Sequence, residues 1–518
     1  MLKFFNKRYF ILFIFPFILG GITVLGFRPF NLFFFNAISV SLLFYLIFYV
    51  KKKTQSLYRK KPFLTNLFFL GTAYGFGFFL FGFYWIAYSL TFDDSFKFLI
   101  PFSLILIPLF LSLFFSLPII FIGYLIDLKI SSIILISLVF SIFDFLRSFV
   151  LTGFPWNLWA YSFSWSQESL QILSSIGIFS FNLLLITLFL LPTALFFKGK
   201  SKYFFISFFI ILAFINYFYG SYKINSQFED YAEKKINFKI VSAGNKLSEF
   251  KDVNLVLKKL IMLSEPNKEQ ETIFVWPEGV ILDTDFEKRQ EIKKLFRENF
   301  SKKHIILLGA NTKKTDNQKE NYYNSLIIVD RDLNIIHQYD KKKLVPFGEF
   351  LPFEKILNRV GLKKITPGYS SFSEGKNDSF ITLKFNNKNI NLLPLICYEI
   401  IFPHLLENKK NKFDFVINIS EDAWFGDSIG PQQHFAKAIF RSIESETFIV
   451  RSANKGISAF IDPNGKVLKS LNPTEFGNIE LDLPILKSEK NTTKKSLIFS
   501  LLLITYVVTF FVLKKLRL

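Results

Sequence analysis

Three residues in the second half of the chain have the types needed for nucleophilic chemistry. Cys397 is the single cysteine and follows the apolar run Leu-Leu-Pro-Leu-Ile. Glu278 ends another apolar run, in Phe-Val-Trp-Pro-Glu-Gly, and Lys341 opens the string Lys-Lys-Lys-Leu-Val-Pro-Phe-Gly-Glu. A thiol reacts as its thiolate, so a carboxylate can serve as its base and an ammonium can stabilise the anions that form. These residue types predict a Cys nucleophile, a Glu base and a Lys cation.

Each of these residues also has an ordinary structural interpretation when it is taken alone. Glutamate and lysine usually lie on the surface, and a lone cysteine usually behaves as a small buried apolar residue. With one cysteine the chain cannot form an internal disulfide or a cysteine-rich zinc site, and four histidines remain for any metal. The combination of the three residues, rather than any one of them, favours the catalytic interpretation.

Alternating strand and helix patterns surround these residues and predict an α/β domain. Polar residues mark the ends of the apolar strands, where such folds usually bind their ligands. The predicted strands are 237–242, 272–276, 304–309, 324–329, 391–397, 413–419 and 447–452. The predicted helices are 247–263, 284–300 and 433–446.

Long apolar runs flank this domain and are typical of membrane-spanning helices. Apolar residues make up 51% of the chain and charged residues 20%, which excludes a disordered chain and disfavours a soluble enzyme. A span needs about 20 apolar residues. Eight runs qualify: 9–26, 31–50, 63–85, 97–123, 130–150, 168–195, 203–219 and 497–513. We therefore expect a membrane domain of seven helices over 1–219, a water-exposed catalytic domain over 220–495, and an eighth helix with a cytoplasmic tail over 496–518.

Basic residues between the runs predict the orientation in the membrane. Lysine and arginine cluster before the first run and within 51–61, 198–202 and 514–517. With eight spans, these clusters fall on one side, which the positive-inside rule assigns to the cytoplasm. The 220–495 domain is then expected outside the cytoplasm. The net charge of +21 does not indicate nucleic-acid binding, since the lysines are scattered and no nucleic-acid-binding motif is present.

Longer strings around the three residues resemble a known family. They are Trp276-Pro-Glu-Gly279, Leu344-Val-Pro-Phe-Gly-Glu-Phe350, Ile396-Cys-Tyr-Glu399, Asp422-Ala-Trp-Phe-Gly-Asp-Ser428 and Gly430-Pro-Gln-Gln-His434. They resemble the nitrilase-like carbon–nitrogen hydrolases, whose members use a Glu-Lys-Cys triad on an αββα sandwich. In the membrane part, three further features are similar to one branch of that superfamily, the apolipoprotein N-acyltransferases of bacterial lipoprotein maturation. These features are Phe27-Arg-Pro-Phe30, Arg147 and Thr152-Gly-Phe-Pro-Trp156.

The resemblance implies roles for individual residues. Cys397 corresponds to the nucleophile, Glu278 to the base and Lys341 to the lysine that stabilises the oxyanion. A second group is implied to support the triad or to border the substrate mouth: Glu349, Tyr398, Glu399, Trp424 and Phe425.

The resemblance also implies a two-step acyl transfer at the membrane surface. Cys397 would take the sn-1 acyl chain of a phospholipid as a thioester and pass it to the α-amine of an S-diacylglyceryl-cysteine at a lipoprotein N-terminus. No metal or organic cofactor is implied. The implied partners are the phospholipid donor, the diacylated apolipoprotein and the membrane. The enzyme is expected to be a monomer in the bacterial inner membrane with its catalytic domain in the periplasm.

Two other functions remain open from the sequence. A membrane-tethered amidase of the nitrilase type would keep the triad but would not need the matched membrane strings. A transporter with an outer domain would need ionisable residues or inverted repeats in its spans. The spans contain few ionisable residues, and no inverted repeat is visible in the sequence.

The chain also departs from the family pattern. Ala243 stands where Gln is usual, Phe250 is the nearest aromatic where Trp is usual, and Glu421 and Lys455 stand where Asn and Thr are common.

Overall fold

The computed structural model divides the chain into two compact units. Unit 1 comprises Met1–Asn225 with Thr493–Leu518, and unit 2 comprises Ser226–Thr492. The structure describes residues 8–54, 60–226, 231–247, 249, 252–316, 319–352, 371–376, 380–385, 388–407, 413–486 and 494–518. Phe250 and the basic residues that precede position 8 lie outside the described residues.

Unit 1 is built from apolar helices. In chain order they are α1 Phe15–Thr23, α2 Phe34–Thr54, α3 Lys60–Phe83, α4 Ile100–Leu111, α5 Leu113–Leu125, α6 Ile130–Arg147, α7 Gln167–Leu170, α8 Leu173–Ala194 and α9 Ser201–Ser226, followed after unit 2 by a last helix, Lys495–Lys515. In the described part of the chain, seven helical segments are long and apolar enough to cross a membrane, and Phe10–Gly26 forms a shorter one. The eight predicted apolar helices are therefore present.

Small residues allow these helices to pack closely. A Cβ added to Gly71 would come within 2.5 Å of Ser116 Cα, and one added to Gly75 within 2.8 Å of Ser112 Cα. Glycines four residues apart on α3 thus let its backbone approach the junction of α4 and α5, as small-residue pairs do in membrane helix bundles.

Two six-stranded sheets form the centre of unit 2. The strands are β1 Tyr231–Ser242, β2 Thr272–Val275, β3 His304–Asp316, β4 Lys319–Val329, β5 Ile335–Asp340, β6 Ile381–Phe385, β7 Lys388–Ile396, β8 Phe415–Glu421, β9 Phe448–Asn454, β10 Ser458–Ile461, β11 Val467–Leu471 and β12 Gly477–Leu486. In the described residues, the first sheet has the order β12-β1-β2-β3-β4-β5 and the second has the order β11-β10-β9-β8-β7-β6.

The layers of unit 2 follow from the apolar faces of these strands. Phe238 and Ile273 of the first sheet share one buried core with Phe415 and Val450 of the second. The other face of the first sheet packs against α10 (Val253–Ser264) and α11 (Gln290–Asn299), whose apolar residues form a second core with those of the strands. On the second sheet, α12 (Gly430–Ser445) contacts β9 and β10. The implied αββα sandwich is confirmed. The chain then enters α13, the helix Lys495–Lys515 already described in unit 1.

The predicted strands are present, but several of their limits were wrong. β3 and β4 are longer than predicted because they pair with each other as far as Asp316 and Lys319. The helix predicted over 247–263 begins at Val253, since the Asp252 carboxylate accepts a hydrogen bond from Leu255 N–H and caps it there. β5, β6, β10, β11 and β12 were not predicted. β5 has the sequence Ile-Ile-His-Gln-Tyr-Asp, which lacks a regular apolar period.

Candidate active site

Three strand ends bring Glu278, Lys341 and Cys397 close together in unit 2. Glu278 comes shortly after β2, Lys341 follows β5, and Cys397 follows β7 and opens a short 3₁₀ turn. Lys341 Nζ lies 3.2 Å from Glu278 Oε1. The Cys397 thiol interacts electrostatically with both of these charged groups. The structure therefore brings together the three residues that the sequence singled out, although the first and the last are 119 positions apart in the chain.

Lys341 is a buried cation shared by two carboxylates. Only 1% of its side chain is exposed, and its Nζ donates to Glu349 Oε1 at 2.8 Å as well as to Glu278 Oε1. The Asn324 amide nitrogen on β4 donates to the same two oxygens, at 2.7 Å each. Burial opposes an ammonium, but the charges of Glu278 and Glu349 outweigh it and raise the pKa of Lys341. Lys341 therefore stays protonated at physiological pH.

Backbone donors fix the second oxygen of each carboxylate. Glu278 Oε2 accepts a 2.9 Å hydrogen bond from the N–H of Glu421, the last residue of β8. Glu349 Oε2 accepts a 2.8 Å hydrogen bond from Val345 N–H. The two glutamates thus have the same kind of environment, with one oxygen on Lys341 and the other on the main chain.

Cys397 has an uncommon backbone conformation for a residue with a side chain. Its φ is +48°, in the left-handed region, and its thiol is half-buried. Burial and the charge of Glu278 raise the pKa of this thiol well above its usual range, although the Lys341 ammonium and a hydrogen bond with Ser420 oppose them. The resting group is therefore a thiol, which needs a base at the moment it attacks.

This raised pKa predicts the pH dependence of Cys397 alkylation. The rate with iodoacetamide follows the thiolate fraction, and an unperturbed cysteine has a pKa of about 8.5. Because the pKa is raised, we expect the rate to increase about tenfold for each pH unit from 7 to 9 without levelling off. Lys341→Met should slow the reaction at every pH, since it removes the cation that favours the thiolate. Mass spectrometry of the single cysteine measures both rates, and a plateau below pH 8 would contradict the expectation.

Glu399 connects the turn of Cys397 to the loop of Lys341. Its Oε2 accepts from Ile396 N–H at 2.7 Å, and its Oε1 accepts from Lys342 N–H at 2.7 Å, Lys343 N–H at 3.2 Å and the Tyr339 hydroxyl at 3.0 Å. The carboxyl group is fully buried, and burial raises its pKa although the backbone donors oppose this. Both oxygens are occupied, so Glu399 is placed to hold the two loops together.

The three aromatic residues of the implied supporting group lie in two turns next to the cluster: Tyr398 flanks the nucleophile, and Trp424 and Phe425 are those expected near the substrate mouth. The Tyr398 ring packs edge-to-face on Phe402, with centroids 5.1 Å apart. Trp424 and Phe425 belong to the turn that follows β8, and Phe425 packs against the His434 ring at 5.4 Å. Their role in substrate binding stays a prediction.

The departure from the family pattern at position 421 falls inside this site. The buried Glu421 carboxyl accepts from the Asn454 amide at 2.9 Å and from Ala423 N–H at 3.0 Å. Asn454 also accepts from Asn245 N–H at 2.8 Å, so it connects Glu421 to the segment that follows the departure at Ala243. Burial, with the charges of Glu278 and its neighbour Asp422, raises the pKa of Glu421 well above its usual range.

Sequence reasoning missed two contributors to the site. Asn324 was counted only as the start of a strand, yet an amide in a buried strand needs partners, which was the available signal. Arg451 lies within the predicted strand 447–452, where a fully buried arginine requires an anionic or carbonyl partner. It donates to Asp422 Oδ2 at 2.8 Å and to the Asn418 side chain.

One set of side chains beside Cys397 has the composition of a metal site. Donor atoms of Cys397, Asp422 and His434 lie within 4.8 Å of one another, and Zn²⁺ is commonly bound by such ligands. However, the Asp422 carboxylate is already bound by Arg451 and by the Ser420 hydroxyl, at 2.6 Å for the latter. Burial favours its protonation, but Arg451 and His434 lower the pKa of Asp422 to about 2. These donors therefore form a hydrogen-bonded network and do not fit an open metal site.

Comparisons with known proteins cover both units. Residues 19–191 match the apolipoprotein N-acyltransferase N-terminal domain, and residues 252–485 match the carbon-nitrogen hydrolase family. The chain is 30% identical over 480 residues to the apolipoprotein N-acyltransferase of Rhizobium rhizogenes, covering 90% of this chain and 88% of that protein. It is 31% identical over 473 residues to the protein of that name from Rickettsia prowazekii, covering 90% and 91%. A nitrilase-superfamily structure from Saccharomyces cerevisiae matches at 18% identity and a TM-score of 0.34, over 48% of this chain and 90% of that one.

Proposed function

Because the chain belongs to the apolipoprotein N-acyltransferase family, we propose that it transfers an acyl chain from a phospholipid to the amino terminus of a diacylated lipoprotein. The observation that carries this proposal is the buried cluster of Glu278 and Lys341 beside the half-buried Cys397. The match of residues 19–191 to the N-terminal domain of this family supports acyl transfer over the hydrolysis of a small amide.

The first half-reaction forms a thioester on Cys397. As the sulfur attacks the sn-1 ester carbonyl of the phospholipid, Glu278 takes the thiol proton. The Lys341 ammonium stabilises the tetrahedral oxyanion, which then collapses and breaks the carbon–oxygen bond of the ester. Glu278 returns the proton to the departing alkoxide, so lysophospholipid leaves and the glutamate is ionised again.

The second half-reaction transfers the acyl group to the acceptor. The free α-amine of the S-diacylglyceryl-cysteine attacks the thioester carbonyl, and Lys341 again stabilises the oxyanion. Glu278 takes a proton from the attacking amine and gives it to the departing Cys397 sulfur. The products are an N-acylated lipoprotein and the free thiol, so donor and acceptor react in a ping-pong sequence that needs no metal or organic cofactor.

Both substrates are anchored in a membrane by their acyl chains, so the reaction takes place at a membrane surface. We propose the bacterial inner membrane, with unit 2 on the periplasmic side and the enzyme acting as a monomer. The burial of Glu278 and Lys341 supports a water-poor site, which protects the thioester from hydrolysis.

The orientation predicts which positions an impermeant reagent can reach. In a Cys397→Ala background, a cysteine at Lys294, whose side chain is 77% exposed, should react with a membrane-impermeant maleimide added to intact spheroplasts. A cysteine at Lys515, which is exposed at the end of the last helix, should react only after lysis. The opposite pattern would contradict the proposed orientation.

Removing the shared cation should impair both rate and stability. Lys341→Met is expected to slow single-turnover thioester formation about 100- to 1000-fold, the usual loss for one oxyanion-stabilising group. It should also lower the thermal unfolding temperature, because Glu278 and Glu349 become two neighbouring buried carboxylates without the cation they share. Lys313→Met, which breaks the surface ion pair with Asp285, is the control and should leave the rate unchanged.

Acylation of a diacylated lipopeptide tests the proposed function directly. Purified protein in phosphatidylethanolamine micelles should add one acyl chain to the lipopeptide and release lysophospholipid. Without the acceptor, mass spectrometry should find the acyl chain on Cys397. Hydrolysis of small amides with no acyl chain on Cys397 would favour the amidase instead.

A further inference from the structure

A second buried group of side chains lies beside the catalytic cluster and has no part in the mechanism above. Asp422 follows β8, His434 lies on α12 and Arg451 lies on β9. All three side chains are fully buried, although each is ionisable. Such a group is expensive to bury unless its hydrogen bonds are well made.

His434 is the member that contacts the nucleophile. Its Nε2 lies 3.2 Å from the Cys397 carbonyl oxygen. Because a carbonyl oxygen can only accept, Nε2 must carry a hydrogen and donate it. Its Nδ1 lies 2.9 Å from Asp422 Oδ1 and 3.2 Å from the Arg451 guanidinium, which itself donates to Asp422. The ring is therefore held by a buried ion pair on one side and holds the nucleophile's main chain on the other.

The backbone of Cys397 needs such a contact. A left-handed conformation is unfavourable for a residue with a side chain, and it persists only where the surroundings impose it. Glu399 fixes the N–H of Ile396 just before Cys397, and His434 fixes the carbonyl of Cys397 itself. Since a peptide unit is planar, holding this carbonyl also fixes the direction of Tyr398 N–H.

We propose that His434 is a positioning residue for the nucleophile, and that Asp422 and Arg451 hold its ring in place. By donating from Nε2 to the Cys397 carbonyl, His434 keeps Cys397 in the conformation that directs the thiol toward Glu278 and Lys341. This inference rests on the proposed function, because it takes Cys397 as the nucleophile.

Two conservative variants separate positioning from simple packing. In His434→Gln, the amide nitrogen can reach the position of Nε2 and still donate to the Cys397 carbonyl. In His434→Asn, the shorter amide can replace only Nδ1, so it keeps a contact near Asp422 and loses the carbonyl. Losing one buried hydrogen bond should slow iodoacetamide alkylation of Cys397 and thioester formation about 10- to 100-fold in the Asn variant. The Gln variant should stay within about threefold of wild type, and KM for phospholipid should not change in either.

The control is His337→Asn, a change at a partly buried histidine on β5 outside the cluster, which should leave both rates unchanged. Equal rates in the Gln and Asn variants at position 434 would overturn the proposal, as would a lower melting temperature with unchanged rates. The alkylation assay uses no lipid, so a difference between the two variants there supports positioning even if wild-type protein forms no thioester and the proposed function fails.

If a variant does not fold, the proposal can still be tested on wild-type protein through the protonation of the His434 ring. The chain has four histidines, so ¹⁵N-histidine labelling of the full-length protein in detergent gives few imidazole signals. The Nε2 of His434 should be protonated throughout pH 6–8. An unprotonated Nε2 would overturn the proposal, because it could not donate to the carbonyl.

Discussion

Replacing Cys397 with serine is expected to abolish the acyl-enzyme and all acyl transfer. A hydroxyl is far less acidic than a thiol, so Glu278 cannot deprotonate it effectively during attack. Losing a nucleophile of this kind typically costs on the order of 10⁴-fold or more in rate. Mass spectrometry after incubation with phospholipid should find no acyl adduct on the variant.

The fold should survive this substitution. Serine is close to cysteine in size, and Cys397 is only partly buried where it packs against the core of the two sheets. The thermal unfolding temperature should therefore stay near that of wild type. An acyl chain on another residue of Cys397→Ser, at a rate close to wild type, would contradict the assignment of the nucleophile.

Replacing Glu278 with glutamine should have the next largest effect. An amide cannot accept the thiol proton, and general-base catalysis usually contributes about 10²–10⁴-fold. Glutamine can keep an oxygen toward Lys341 and Asn324, but its NH₂ group then faces Glu421 N–H, where two donors meet. We therefore expect a moderate loss of stability in addition to the loss in single-turnover thioester formation.

Glu349→Gln is the matched control for this prediction. Glu349 also gives one oxygen to Lys341 and Asn324, and its other oxygen accepts from a main-chain N–H, that of Val345. Both variants remove one buried charge and create the same kind of donor conflict. The stability losses should thus be similar, while thioester formation should be much slower in Glu278→Gln. Equal rates in the two variants would mean that Glu278 is not the base.

The chemistry of the site was predictable because each catalytic candidate lies in a short, recognisable stretch of sequence. Glu278 and Cys397 each follow an apolar run, and a fully buried strand that ends at a polar residue marks a ligand-binding edge. Lys341 lies just before the string Leu344-Val-Pro-Phe-Gly-Glu-Phe350, which is specific enough to indicate a family. The apolar helices were equally predictable, since a membrane span requires an uninterrupted run of about 20 apolar residues.

A strand cannot be predicted from the sequence where its apolar and polar residues do not alternate regularly. β5 ends at Asp340 and positions Lys341, yet its mixed sequence predicted no strand. It forms because β4 pairs beside it, with Ser325 opposite Asp340. Pairing between strands, rather than the strand's own pattern, created this element.

Only the tertiary structure decided which side chains meet. The hydrogen bond from Glu421 N–H to Glu278 joins residues 143 positions apart, one at the end of β8 in the second sheet and the other shortly after β2 of the first. The contact of His434 with Cys397 depends on α12 packing beside the end of β7. The sequence alone determined that a carboxylate and a thiol follow apolar segments, that an ammonium lies in a string resembling a family motif, and that apolar helices accompany them. It could not determine that Asn324 and Lys341 bridge two glutamates, or that a histidine holds the nucleophile's carbonyl. The spacing of apolar residues indicates which short segments form helices or strands and which of their faces are buried. These contacts depend instead on the order of the strands and on how the two sheets face each other.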